Sequence, residues 1–125
     1  MTYEVGASVA VHALHVMPME GPEGVLHGHD YRIDVMVSRE KLDGNGMVVD
    51  LSVLEAELKT VRAELDGRDL DAIRPPDAEA VTVEVFARWM WDRLAELVAE
   101  AGGDELAVQV YESPSAFGGY RASVR

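Results

Sequence analysis

In the stretch LHGHDYRIDVMV, Leu26 to Val37, apolar and polar residues alternate: Tyr31, Ile33, Val35 and Val37 share one parity, against Asp30, Arg32 and Asp34 on the other. Successive side chains of a strand point to opposite faces, so this pattern predicts a half-buried strand over residues 29–38 with its odd positions in a core. Residues 3–16 repeat the pattern, with Val5, Ala7, Val9, Val11 and Ala13 set against Glu4, Ser8 and His12. Between the two lies a loop of moderate length, residues 17–26, punctuated by Pro18, Gly21, Pro22 and Gly24. An antiparallel hairpin is the economical way to join strands through such a loop.

The hairpin brings the histidines together. Side chains at i and i+2 of a strand lie on one face, so His27 and His29 can present both imidazoles to one ion, with Gly28 leaving room. An HGH tripeptide alone is more often a polar loop than a metal site. The added weight comes from His15, which has the inward parity of its own strand and ends it where His27 and His29 open the next. Three imidazoles at one end of one face are a ligand set that leaves a zinc coordination position open, as in catalytic sites. His12 has the opposite parity and reads as a solvated or interface side chain. Glu112 ends a later strand; a carboxylate there could accept a pair of N–H donors from a ring edge, although a strand-end glutamate is ordinarily just solvated.

The remaining pattern completes an α+β order. After a short strand expected at Met47–Val49, Leu51, Leu54, Leu58, Val61 and Leu65 recur at the spacing of one helical face. That helix begins either at Asp50 or at a capping box of Ser52 and Glu55. A second helix is expected from about Val83 to Ala101, with Thr82 as N-cap, Phe86, Met90, Leu94 and Leu97 in its apolar stripe, and Gly102 as terminator. Leu106–Glu112 and Tyr120–Val124 read as the last strands. Two helices on one face of a mainly antiparallel sheet is the layer solution for this order, and 125 residues favour one domain over 1–125.

Composition narrows the function classes. The chain is 48% hydrophobic and 27% charged, a mixture that buries a core. Its net charge of -12 repels phosphate backbones and anionic lipid, so neither nucleic acid nor membrane is expected as a partner. With no cysteine, disulfides, thiolate ligands and a cysteine nucleophile are excluded. No Lys or Arg precedes Arg32 and no apolar run reaches spanning length, which makes a cytoplasmic location the default expectation.

Taken together, several blocks resemble the 6-pyruvoyl-tetrahydropterin and 6-carboxy-tetrahydropterin synthases. They are VHALH ending in His15, LHGHDYRIDVMV, DGNGMVVDL from Asp43, LDGRDLD from Leu65, TVE from Thr82 and VYES from Val110. The resemblance implies the tunnelling fold (T-fold), whose sheets join edge to edge into an oligomeric barrel, commonly a hexamer of two trimers, with pockets between subunits. It implies Zn2+ on His15, His27 and His29, a pterin ring gripped by Glu112, and Thr82 and Glu84 near the pterin pocket. Two departures stand out. The cysteine base that the family places in a CxxxHGH register is Glu23 here, with Glu20 as a second candidate in the same loop. The histidine that follows Leu-Asp in the family is Gly67, while Asp66 is retained.

A carboxylate beside a polarised hydroxyl can still move protons. The first functional expectation is therefore a zinc-dependent lyase acting on the side chain of dihydroneopterin or its triphosphate, with Glu23 and Asp66 as catalytic candidates. Relatives with a glutamate near this register are associated with cutting that side chain to a hydroxymethyl group. A non-catalytic or impaired pterin-binding homologue and a zinc-stabilised structural module without pterin are the alternatives.

Overall fold

The computed structural model describes residues Met1–Arg125. The elements are β1 (Tyr3–His15), β2 (His27–Arg39), α1 (Leu51–Leu65), α2 (Val83–Glu100), β3 (Glu105–Tyr111) and β4 (Phe117–Ser123), with 3-10 turns at Pro22–Gly24 and Leu70–Ile73. The strands form one antiparallel sheet in the order β1-β2-β3-β4. β1 and β2 make the expected hairpin, in a register that pairs His15 with His27, Ala13 with His29 and His12 with Asp30.

Both helices cover one face of the sheet, α1 over β1 and α2 over β3 and β4. Val11, Ala13, Tyr31, Ile33, Val35 and Val37 meet Leu106, Val108 and Val110 and the helical stripes in one buried cluster. Each fully buried aliphatic or aromatic side chain contributes roughly 1.5–3 kcal/mol, so this alternation sets the register: a slip by one residue would turn the whole set to water. Asp50 is the N-cap of α1, its carboxylate accepting from the Ser52 N–H at 3.0 Å. Thr82 caps α2 as expected, with Oγ1 accepting from the Val85 N–H at 3.1 Å. No helix is long and apolar enough to cross a membrane.

Two expectations need correction. Met47–Val49 is not a strand: Asp43 and Met47 exchange hydrogen bonds within a compact loop, and Arg39 Nη1 donates to the Val48 carbonyl at 3.2 Å. Val48 and Val49 are buried, so the apolar run reports burial and not ladder pairing. β4 begins at Phe117, three residues ahead of the expected Tyr120, because the pair Gly118-Gly119 is part of the strand and not a turn. A Cβ on Gly118 would come within 2.9 Å of Val83 Cγ2, so glycine there permits close approach of the α2 start.

The hairpin end that carries the histidines is closed at its outer edge. The segment after α1 runs along β1: Gly67 N–H donates to the His12 carbonyl, and Leu14 N–H to the Arg68 carbonyl at 2.9 Å. The outer edge of β1 from Tyr3 to Ala10 has no such cover in the chain.

Candidate metal centre

His15, His27 and His29 meet at the mouth of the hairpin, their ring centroids 4.5–5.0 Å apart in pairs. His15 is almost fully buried, and its Nδ1 bonds the Val81 carbonyl at 2.9 Å. His27 Nδ1 bonds the Val25 carbonyl at 2.7 Å. A carbonyl only accepts, so in both rings the hydrogen sits on Nδ1 and the Nε2 lone pair is free, the outer-partner arrangement that orients imidazole ligands. All three Nε2 atoms are shut off from solvent without a hydrogen-bond partner. A buried polar atom left unpaired costs about 1–3 kcal/mol, so three would cost roughly 3–9 kcal/mol, comparable to the whole stability of a small domain. A bound cation removes that cost.

Glu23 joins them from the 3-10 turn. Its Oε2 lies 2.8 Å from His27 Nε2, without the alignment of a hydrogen bond, as two ligand atoms do when both aim at a shared point. One ligand atom each from His15, Glu23, His27 and His29 lie within 4.8 Å of one another, a set that could hold a metal ion. Nitrogen ligands with one carboxylate suit zinc among other divalent ions. Glu20, the other loop candidate, is not in the group.

Glu112 stands beside the cluster, half-buried, with Oε2 3.9 Å from His29 Nε2. The His29 pKa is lowered chiefly by burial, with His15 and His27 pushing the same way and Glu112 opposing them. His29 is thus held in the neutral form that ligates. Tyr31, whose hydroxyl lies 3.4 Å from His15 Nδ1, is pushed upward by burial first and by Glu112 and Glu23 next, and stays un-ionised.

The other sequence candidates lie apart from the cluster. Asp66 accepts the backbone N–H of His12 at 2.9 Å, which makes it a clamp on β1. Thr82 spends its hydroxyl on the α2 cap and sits next to Val81, whose carbonyl orients His15. Glu84 is exposed and packs at Gly118. Arg32, Arg74 and Arg121 are engaged with Asp34, Asp71 and Glu105 respectively. The carbonyls of Val25 and Val81 were missed by sequence reasoning, since a backbone acceptor leaves no residue-type signature.

Comparison with known proteins agrees with this geometry. The model of the family described as 6-pyruvoyl tetrahydropterin synthase matches residues 8–123. The chain belongs to that family. Among its relatives, the 6-carboxy-5,6,7,8-tetrahydropterin synthase of Bacillus subtilis is 27% identical over 128 residues, covering 96% of this chain and 86% of that protein. The 6-pyruvoyl tetrahydrobiopterin synthase of Homo sapiens is 34% identical over 89 residues, 70% of this chain and 60% of that one. Among solved structures, a Plasmodium vivax 6-pyruvoyltetrahydropterin synthase, in a variant whose catalytic glutamate is replaced by cysteine, superposes with a TM-score of 0.80 at 16% identity, covering 98% of this chain and 99% of that one. That match establishes the T-fold for this synthase-family chain. Membership places the chain in a family of pterin enzymes, with a His/Glu cluster able to hold a metal.

Proposed function

We propose that the chain, as one domain over residues 1–125, is a zinc-dependent lyase acting on the side chain of dihydroneopterin or its triphosphate. The observation that carries this reading is the convergence of three solvent-excluded, unpartnered Nε2 atoms with Glu23 on one side and Glu112 on the other. His15, His27 and His29 hold the ion, two of them oriented by backbone carbonyls. When bound, zinc supplies Lewis-acid polarisation of a side-chain oxygen. Glu112 accepts two N–H groups from the amino-pyrimidine edge and sets the ring's orientation. Glu23 accepts the proton released from the side chain, at the register where the family commonly has cysteine. The catalytic glutamate of the Plasmodium vivax relative supports that assignment. Asp66, Thr82 and Glu84 act by shaping the elements around the pocket. Copies of the chain close their sheet edges into an oligomeric barrel of the hexameric kind, since exposed edges need cover.

The test is an assay of the zinc-loaded protein with dihydroneopterin and with its triphosphate, identifying products by mass. Cleavage of either is expected. A second reading, a pterin-binding protein without turnover, is favoured by the glycine at position 67, and pterin binding without product from either compound would establish it.

A further inference from the structure

On the opposite face of the same hairpin, His12 forms a separate arrangement. Its Nδ1 lies 2.8 Å from Asp30 Oδ1. An ionised carboxylate only accepts, so Nδ1 carries the hydrogen and Nε2 remains as a free acceptor on a half-exposed ring. The ring lies over Gly28, where a Cβ would come within 3.1 Å of Cε1 and Nε2. The backbone is held on both sides: the His12 N–H donates to Asp66 Oδ1 at 2.9 Å, and its carbonyl accepts the Gly67 N–H at 2.6 Å. A solvated surface histidine needs none of these restraints, whereas an imidazole that moves protons needs a partner to set its tautomer and a fixed position.

The family resemblance calls for an imidazole at position 67. This chain has Gly67 there, at φ +75° with open space around it, and that glycine is hydrogen-bonded to His12 itself. We propose that His12 supplies the acid–base imidazole that position 67 lacks, with Asp30 as its positioning residue. The sheet separates His12 from the three-histidine cluster of its own chain, so it serves dihydropterin held by an adjacent copy. As the carbon–carbon bond of the side chain breaks, Glu23 takes the proton from the hydroxyl that becomes the departing aldehyde, and His12 Nε2 delivers a proton to the carbon left on the ring, with Asp30 steadying the imidazolium. The two residues return to their starting states by exchanging that proton through solvent, and nothing is oxidised or reduced. The charged groups bonded to His12 are Asp30 from β2 and Asp66 from the turn after α1.

The inference rests on the lyase reading, and the experiment separates the two. His12→Gln is expected to lower kcat by about 100-fold or more, in the range of general acid–base groups, while zinc content and pterin affinity stay unchanged. One limb of the pH–rate profile disappears with it. Asp30→Asn, which keeps the imidazole, moves kcat in the same direction by less. Adding Gly67→His to His12→Gln restores part of the rate. Co-expressed His12→Gln and His29→Ala chains, each impaired alone, regain activity in mixed oligomers. Undiminished turnover by His12→Gln, or a rate loss matched by lost zinc or lost fold, overturns the proposal, and mixed oligomers as impaired as their parents overturn its action on a neighbour. Absence of turnover by the unsubstituted protein overturns the lyase reading instead.

Discussion

The β1–β2 ladder carries histidines on both faces, and the two faces solve different problems. On the helix-covered face His15, His27 and His29 keep their Nε2 atoms buried and unpaired, while on the open face His12 is half-exposed and paired with Asp30. Buried nitrogens without hydrogen-bond partners are costly unless a cation pairs with them, so that face suits a metal ion. An exposed imidazole with a carboxylate partner is satisfied already and keeps one nitrogen free for a proton. Three residue steps along β1 thus separate a buried, unpaired imidazole from an exposed one paired with a carboxylate.

The largest expected effect breaks the first face. His27→Ala or His29→Ala should weaken zinc binding by more than the roughly 10–100-fold that losing an outer partner costs, as read by competition with a chromophoric chelator. Glu112→Ala should leave zinc in place and weaken pterin binding by about 10–100-fold, the worth of a charge-assisted pair of hydrogen bonds, measured by fluorescence titration. Zinc at 1,000 times its Kd should add about 4 kcal/mol and raise Tm by roughly 10 °C or more over chelator-treated protein in a thermal melt.

A smaller effect follows from His29. Its folded pKa is below the ordinary 6.5 because burial disfavours the charged form. The unfolded chain therefore takes up the proton first as pH falls, and the metal-free protein should lose stability from about pH 6.5 downward until the folded pKa is passed. Melts of metal-free protein between pH 7.5 and 5.5 should show a falling Tm, and His29→Asn should flatten the curve. The smallest change sharpens the contrast between faces: Gly28→Ala crowds Leu14 Cδ2 and the His12 ring at 3.0–3.1 Å, and should cost about 1 kcal/mol while leaving zinc affinity intact.

Much of this arrangement was legible before any coordinates. Alternation along residues 3–16 and 29–38 implied the hairpin, and the shared parity of His15, His27 and His29 implied their convergence, because strand geometry converts sequence parity directly into facing. The same reasoning failed at Met47–Val49, where a short buried apolar run looks alike whether it pairs in a ladder or tucks into a loop. It also failed at Gly118-Gly119, outside the expected strand Tyr120–Val124, where Gly118 permits close approach of α2 and Gly119 lies close against β3.

What the amino-acid order determined by itself was periodic and local: which residues alternate, which stripes are apolar, which side chains can cap, and which histidines share a face. Only the tertiary structure decided that Val81, far along the chain, orients His15, that Glu23 and not Glu20 closes on the cluster, and that the turn at Asp66 and Gly67 clamps His12. Those contacts join segments whose separation carries no repeat, and two of them run through backbone atoms that every residue has. Parity is written in side-chain type, whereas the meeting of a carbonyl and an imidazole depends on how the packed layers close.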